Sequence, residues 1–260
     1  MDRFYLLAPA LLLLATFTGA FILYGVLVLT RRTQLLNVKH NQVLGKFFAS
    51  YLVWLVGPVE RLLLGRVSAN VITVLSLVLC AITGLAVALG HLPGAVWLYV
   101  FAGICDVLDG RLARKTGTQT PAGALFDSVC DRWGELFVFA GYAWYLRETS
   151  WLLAVFAAIG GSLMVSYTRA RAEGLGIQLA GGIMQRAERI VVVAGGTLVA
   201  AWFKDDVENQ IAIVGVTMLV CGIASSGTAL GRFVVGYRRL ANKDRIEAAA
   251  AIAAAKLSIR

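Results

Sequence analysis

The feature that most constrains this chain is a series of long apolar stretches. Seven of them are each near the roughly 20 residues that a helix needs to cross the hydrocarbon core of a bilayer. Backbone groups inside a bilayer find no water to bond, so each stretch is expected to form a helix. The sequence therefore predicts an all-α integral membrane protein. The predicted spans are about 4–30, 69–90, 93–113, 123–146, 151–168, 189–203 and 210–237.

Charged residues are too few for the surface of a soluble protein. They make up 15% of the 260 residues, against roughly 25% in an ordinary globular domain. This excludes a soluble domain, a disordered chain and a disulfide-stapled secreted domain. The four cysteines lie in apolar stretches without CxxC spacing, which is typical of small buried side chains.

The positions of lysine and arginine predict the orientation in the membrane. With the N-terminus outside, only 3 of the 24 basic residues fall in outer segments, namely Arg3, Arg147 and Lys204. Basic residues near span ends mark the inner side of a membrane protein. The net charge of +9 is therefore explained by topology, and no nucleic-acid partner is expected.

One apolar segment differs from the seven spans. Residues 46–66 are interrupted by Gly57, Pro58, Glu60 and Arg61, which favours an amphipathic helix on the inner leaflet. A short eighth span is the alternative, and it would invert everything that follows. The predicted organisation is an extra N-terminal transmembrane helix (1–32), a linker with the interfacial helix (33–68), six further spans (69–240) and a basic Ala-rich tail (241–260).

Four aspartates lie where charge is costly. Asp106, Asp109, Asp127 and Asp131 are at the inner ends of two consecutive predicted spans. A charge at membrane depth costs about 3 kcal/mol or more, so it indicates a functional site. The spacings i, i+3 and i, i+4 place each pair on one helix face. Residues 115–122 contain glycine and proline and predict the turn that brings the two pairs together.

Four carboxylates cannot all stay ionised side by side in a low dielectric. Divalent cations resolve this, and all-oxygen ligands favour the hard ions Mg²⁺ or Mn²⁺. The alternatives are a proton or sodium relay, as in a transporter, and pairing with Arg111, Arg114 and Arg132. Glu135 continues the face of the second pair and is expected either to support the site or to pair with an arginine.

Small residues beside the same faces favour a specific interpretation. Gly110, Ala113 and Gly123 would let helix backbones, or a flat ligand and a backbone, approach closely. The whole pattern reads D-x2-D-G-x2-A-R-x8-G-x3-D-x3-D over residues 106–131. It resembles, without departure, the signature of the CDP-alcohol phosphotransferases, also called CDP-alcohol phosphatidyltransferases. The resemblance covers roughly residues 46–240.

This resemblance implies a six-helix transmembrane core with an inner-face amphipathic helix, usually in a homodimer. It also implies transfer of a phosphatidyl group from CDP-diacylglycerol, or a related CDP-lipid, to an alcohol hydroxyl with release of CMP. Two Mg²⁺ or Mn²⁺ ions would bind the four aspartates, and Asp131 would also be the general base. The active site and the C-terminus would face the cytoplasm of a bacterial inner membrane.

The same resemblance implies a nucleotide site near the start of the second span. Residues 68–73 are similar to the family's Pro-Asn-x-x-Thr stretch, with Ala69 in place of the proline. The implied nucleotide-binding residues are Asn70, Thr73, Asp109, Gly110, Ala113, Arg114 and Gly123.

Arginines at the inner ends of the fifth and sixth spans suggest an anion pocket, because arginine binds phosphate in a bidentate manner. A solvated positive loop with Glu173 and Glu188 as partners is the alternative. These segments resemble bacterial phosphatidylinositol-phosphate synthases, although an arginine replaces the lysine at 169 and Gln185 replaces a glutamate. The implied acceptor is a phosphorylated polyol, inositol phosphate first and glycerol phosphate or another polar alcohol second. Its implied ligands are Ser166, Arg169, Arg189 and Arg232.

Two interpretations from other classes stay open at this stage. An ion-coupled transporter would use the aspartates as a cation relay, but it gives no reason for small residues at fixed offsets from them. A catalytically idle scaffold would keep the motif without turnover. Metal-dependent release of CMP separates both from the enzyme.

Overall fold

The computed structural model describes residues 3–32, 45–179 and 181–258. All regular structure in these ranges is α-helical. The predicted linker at 33–44 lies outside the described residues. The helices are α1 (Arg3–Leu29), α2 (Gly45–Leu63), α3 (Ala69–Ala88), α4 (Leu92–Thr116), α5 (Pro121–Tyr145), α6 (Leu152–Gly174), α7 (Arg186–Trp202) and α8 (Val207–Ser258).

Each predicted span falls on one helix, and the predicted interfacial segment falls on α2. Among the described residues, α3, α4, α6 and the part of α8 up to Ala249 are long and apolar enough to cross a membrane. Helix α5 has 25 residues but carries the charged groups of the predicted site, and α7 has 17 residues. The chain is therefore an all-α integral membrane protein.

The long helices pack around one apolar core. Helix α3 packs against both α4 and α5, α6 packs against α8, and α7 lies between α4 and α8. The core includes Val87, Leu92, Tyr142, Val155 and Met218, each almost completely buried. The Tyr142 hydroxyl shares a hydrogen bond of 2.6 Å with Thr197, which satisfies the polar group that this tyrosine carries into the core.

Helices α3 and α5 approach each other at two glycines. A Cβ atom at Gly84 would overlap the Phe137 carbonyl, and one at Gly141 would overlap the backbone of Gly84. Small residues allow this backbone contact, which is a common way for membrane helices to associate without a hydrophobic driving force. The contact aligns the two helices that carry residues of the predicted nucleotide and metal sites.

Helix α2 is anchored at the C-terminal end of α4 by a buried ion pair. The Glu60 carboxylate is 1% exposed, and it accepts hydrogen bonds from Arg111 Nε at 2.9 Å and Arg111 Nη2 at 2.7 Å. The Lys115 ammonium lies 2.8 Å from the other carboxylate oxygen. Helix α2 is therefore fixed to the same segment of α4 that carries two of the aspartates.

Helix α8 continues through the predicted tail. The sequence suggested a boundary at residue 240, but the helix extends unbroken to Ser258, 52 residues in all. The tail contains no proline or glycine and is rich in alanine, which has the highest helix propensity. Lys243 and Glu247 add an i, i+4 pair at 3.8 Å.

Candidate active site

A tight turn brings the two halves of the aspartate motif together. Helix α4 ends at Thr116, and Gly117 follows in the left-handed conformation with φ of 66°, which glycine adopts without steric cost. Thr120 caps α5 by accepting a hydrogen bond from the Gly123 amide at 3.0 Å. Pro121 occupies the first turn, where its missing N–H costs nothing. The predicted turn at 115–122 is confirmed.

Three of the four aspartates form a compact group. Asp106, Asp109 and Asp127 each offer a carboxylate oxygen, and the three oxygens lie within 4.8 Å of one another. The Thr73 hydroxyl donates to Asp109 Oδ2 at 2.7 Å. Asp127 Oδ1 is buried, and no hydrogen-bond partner is present among the described residues. Clustered carboxylates with an unpartnered buried oxygen fit a hard divalent cation.

Asp131 lies next to this group and is linked to it by an arginine. The Arg186 guanidinium, at the start of α7, pairs with both Asp106 and Asp131. Arg111 and Arg132, two of the arginines predicted as alternative partners of the aspartates, make other contacts. Arg111 binds Glu60, and Arg132 Nη1 lies 3.8 Å from Asp131 and donates to the Ser128 carbonyl at 2.7 Å.

Arg186 belongs to the arginine cluster that the sequence predicts as an anion pocket, but its pairing with Asp106 and Asp131 is not predicted. It lies 80 positions from Asp106 in the chain, so no helical spacing could connect the two. Its place in the segment Gln185–Arg189, at the inner end of a predicted span, was the only signal available.

A cavity of about 630 Å³ lies over the turn between α4 and α5, and we call it the turn cavity. All seven residues predicted to bind the nucleotide line it. Its walls come from the start of α3, the end of α4 and the start of α5. A Cβ at Gly110 would lie 3.3 Å from the Arg114 guanidinium, and one at Gly123 would lie 3.1 Å from the Thr120 hydroxyl. Glycine at these positions therefore leaves room for neighbouring side chains at the cavity wall.

A second cavity, of about 830 Å³, contains the predicted acceptor residues, and we call it the arginine cavity. Ser166, Arg169, Arg189 and Arg232 all line it, and so does Asp131. Arg169 is about half exposed and lies 2.9 Å from Glu173. It is the predicted arginine with the greatest access to a ligand.

The other two predicted acceptor arginines have internal partners. Arg189 is 2% exposed, and its Nε donates to Glu135 at 2.9 Å. The Ser162 hydroxyl also donates to Glu135, at 2.6 Å. Arg232 donates to the Val165 and Gly181 carbonyls at 2.8 Å. Glu135 therefore pairs with an arginine, and both guanidinium groups are held rigidly at the cavity wall.

The aspartate group lies where three cavities meet. Asp127 lines both the turn cavity and the arginine cavity. Asp106 lines a third cavity, of about 500 Å³, which is walled almost entirely by apolar side chains of α1, α2, α4 and α7. We call this third cavity the apolar groove.

The sequence profile of the CDP-alcohol phosphatidyltransferases matches residues 66–226. This chain belongs to that family. The match covers α3 to α7 and the first part of α8, and it includes all four aspartates. As a member of the family, the chain is a membrane-embedded, divalent-cation-dependent transferase.

Two relatives show how far the similarity extends. The phosphatidylinositol phosphate synthase of Mycobacteroides abscessus is 37% identical over 113 residues, which are 42% of this chain and 50% of that protein. The archaetidylinositol phosphate synthase of Methanothermobacter thermautotrophicus is 35% identical over 151 residues, 56% of this chain and 76% of that protein. The alignment thus spans only half of the mycobacterial relative.

Solved structures of the Mycobacterium tuberculosis phosphatidylinositol phosphate synthase have the same fold. The structure with CDP-diacylglycerol bound has a TM-score of 0.61 at 28% identity and covers 69% of this chain and 92% of that one. The structure in complex with manganese and citrate has a TM-score of 0.62 and covers 88% of that chain.

Proposed function

We propose that this chain transfers the phosphatidyl group of CDP-diacylglycerol, or of a related CDP-lipid, to a hydroxyl of inositol phosphate and releases CMP. The observation that carries the proposal is the position of Asp127, which lines the turn cavity and the arginine cavity alike. A nucleotide in one cavity and a phosphorylated acceptor in the other would meet at the carboxylates. This is the arrangement that a direct transfer between two bound substrates requires.

The proposed reaction is a substitution at phosphorus. The acceptor hydroxyl oxygen forms a bond to the phosphorus that carries the diacylglycerol. The bond from that phosphorus to the bridging oxygen of the pyrophosphate breaks, and its electron pair leaves with CMP. The hydroxyl proton passes to the Asp131 carboxylate, which lines the arginine cavity and acts as general base.

The remaining carboxylates have a separate role in the proposal. Asp106, Asp109 and Asp127 would hold the divalent cation, with Asp131 as a further ligand from the adjacent turn of α5. When bound, Mg²⁺ or Mn²⁺ neutralises charge on the pyrophosphate. Thr73 positions Asp109 through its 2.7 Å hydrogen bond, so α3 contributes directly to the geometry of the group.

The acceptor is the part of the proposal that the relatives support best. The bacterial and the archaeal relative have names that share inositol phosphate and differ in the lipid. In this chain, Glu135 fixes Arg189, and backbone carbonyls fix Arg232. Two fixed guanidinium groups beside the more exposed Arg169 would form a preorganised phosphate site.

The orientation and assembly are proposed on separate grounds. The distribution of basic residues supports an N-terminus outside and an active site on the cytoplasmic side of a bacterial inner membrane. A homodimer is proposed from the family resemblance alone. Cysteine accessibility across intact vesicles tests the orientation, and the mass of the detergent-solubilised protein, measured by light scattering, tests the dimer.

An acceptor screen tests the proposed function. Purified protein in nanodiscs would receive CDP-diacylglycerol, Mn²⁺ or Mg²⁺, and one acceptor at a time: inositol phosphate, glycerol phosphate, inositol or serine. CMP release and the mass of the lipid product would be measured together. We expect a product with inositol phosphate, at least tenfold faster than with any other acceptor. The Asp131→Asn variant is the matched control and should release no CMP while keeping its thermal stability.

The other outcomes of the screen are equally informative. A product only with glycerol phosphate would support the anion site but show that the acceptor is glycerol phosphate and not inositol phosphate. Activity only with an unphosphorylated alcohol would show that the arginines do not bind an acceptor phosphate. Their role would then be limited to structure and membrane topology. No metal-dependent CMP release with any acceptor would falsify the enzyme proposal and leave the transporter or idle-scaffold interpretation.

A further inference from the structure

The apolar groove is walled on one side by a helix that the family profile does not include. Helix α1 contributes Leu14, Phe17, Thr18 and Phe21 to the groove, and it precedes the matched residues 66–226. The opposite walls come from α2, α4 and α7. Asp106 lines the groove, so the groove is continuous with the aspartate group of the proposed active site.

Helix α1 is held firmly against the other walls by its aromatic side. The Tyr51 hydroxyl of α2 donates to the Phe17 carbonyl at 2.8 Å. The Phe17 ring stacks on Trp97 of α4 with centroids 5.9 Å apart, and Phe21 meets the Tyr51 ring edge-on at 5.0 Å. A hydrogen bond and two aromatic contacts to two different helices make α1 a fixed wall of the groove.

The length of the groove matches one leaflet of a bilayer. Its lining extends along α7 from Ala187 to Leu198, which at the helical rise corresponds to about 16 Å. It extends along α4 from Val96 to Val107, or again about 16 Å. Half of a hydrocarbon core of about 30 Å is about 15 Å. A single hydrocarbon chain that begins at Asp106 would therefore reach the middle of the membrane.

We propose that one hydrocarbon chain of the CDP-lipid donor lies in the apolar groove and that α1 is the wall that selects this chain. The inference rests on the proposed function, because it places the donor headgroup at the aspartate group. Lipid tails are as apolar as the groove, so entering it brings no hydrophobic gain. The groove acts through shape: it fixes the direction in which the chain leaves the phosphate and limits the chain's bulk and length.

Tryptophan substitutions that fill the groove test this proposal. Thr18→Trp fills it from α1. Gly195→Trp fills it from α7, where a Cβ would meet no atom within 4 Å. Leu23→Trp and Val199→Trp are the matched controls, because the side chains at these two positions are each more than half exposed and lie outside the groove lining.

The readout is the KM for two donors, measured in nanodiscs. With long-chain CDP-diacylglycerol, both groove variants should raise the KM by about tenfold. With a donor that carries two four-carbon chains, the KM of the same variants should stay within twofold of wild type. The two control variants should match wild type with both donors. Groove variants that leave the long-chain KM unchanged, or that raise both KM values equally, would overturn the proposal.

A cross-linking measurement separates failure of this inference from failure of the proposed function. A CDP-diacylglycerol with a photoreactive group at mid-chain would be irradiated with wild-type protein, and labelled peptides would be found by mass spectrometry. We expect label on α1, removed by excess CDP-diacylglycerol and retained in excess phosphatidylcholine. The inference is overturned if no label is found on α1, or if excess CDP-diacylglycerol and excess phosphatidylcholine remove the label equally. Either result counts whether or not the protein releases CMP.

Discussion

Arg186 supplies positive charge at the point where the carboxylates of α4 and α5 face α7. Its guanidinium pairs with Asp106 and Asp131, one on each side of the turn. An arginine in this position offsets the repulsion that the carboxylates exert on one another. The same guanidinium links Asp131 to Asp106, so Asp131 lies next to the group formed by Asp106, Asp109 and Asp127.

Arg186 should compete with divalent cations for the same carboxylates. We expect Arg186→Gln to tighten Mn²⁺ binding by about tenfold, or about 1.4 kcal/mol, and to lower the Tm of the protein without added metal. Electron paramagnetic resonance of free Mn²⁺ measures the first, and thermal unfolding the second. Arg169→Gln is the control, because Arg169 pairs with Glu173 outside the aspartate group. Unchanged or weaker Mn²⁺ binding in Arg186→Gln would contradict this prediction.

At the scale of elements, α2 depends on one buried carboxylate for its attachment to α4. Burial acts to raise the pKa of Glu60, but hydrogen bonds from Lys115 and Arg111 outweigh it and lower that pKa below its usual value. Removing one partner of a buried ion pair leaves the other charge uncompensated. Arg111 would be that charge, since its side chain is 17% exposed.

We expect Glu60→Gln to destabilise the protein by about 3 kcal/mol, measured as a lower Tm in detergent. The control is Arg61→Gln on the same helix, because Arg61 is exposed and its Nε donates to the Gly57 carbonyl of its own helix at 3.3 Å. Because the pKa of Glu60 is lowered in the fold, its stabilisation is complete above about pH 4.3 and is lost as the pH falls through the folded-state value. The Tm difference from wild type should therefore shrink only below about pH 4.3; a constant difference down to pH 2 would contradict the assignment.

The contact between α3 and α5 gives a second prediction at this scale. Gly84→Ala would push a methyl group into the Phe137 carbonyl, and overpacking of this kind costs about 1–3 kcal/mol. Gly160→Ala on α6 is the matched change, because a Cβ there meets nothing within 4 Å and alanine favours the helix. Thermal unfolding should show a lower Tm for Gly84→Ala and an equal or higher Tm for Gly160→Ala. Equal effects would indicate that the two helices can separate without cost.

At the scale of the whole molecule, the three cavities come from different sets of helices, and each is lined by at least one of the four aspartates. The turn cavity is formed by α3, α4 and α5, the arginine cavity by α5 to α8, and the apolar groove by α1, α2, α4 and α7. Such an arrangement lets each part of a substrate pair be bound by separate residues, while the reacting atoms are placed at one point.

Substitutions in separate cavities should therefore change separate kinetic constants. Arg169→Gln should raise the KM for inositol phosphate by about tenfold and leave the KM for CDP-diacylglycerol within twofold. Asn70→Ala should raise the KM for CDP-diacylglycerol and leave the KM for inositol phosphate unchanged. Asn70 lines the turn cavity and does not line the arginine cavity. Steady-state kinetics with each substrate varied in turn measures the two KM values. If either variant raised both constants together, the cavities would not be independent sites.

The sequence by itself determined the helices, the turn and the two pairs of aspartates. Apolar stretches of fixed length predict helices because a bilayer leaves no alternative for the backbone. Spacings of three and four place Asp106 with Asp109 and Asp127 with Asp131, since helical periodicity is a local property. The turn predicted over 115–122 followed from glycine and proline for the same reason. The family motif added the expected chemistry to these positions.

Only the tertiary structure decided which charges meet. Arg186 reaches Asp106 across 80 positions and Arg111 reaches Glu60 across 51, and local spacing carries no information about such pairs. The close contact at Gly84, the position of Asp131 and the wall that α1 adds to the groove likewise depend on how separate helices pack. Burial then sets the strength of each pair, because charge interactions strengthen as water is excluded.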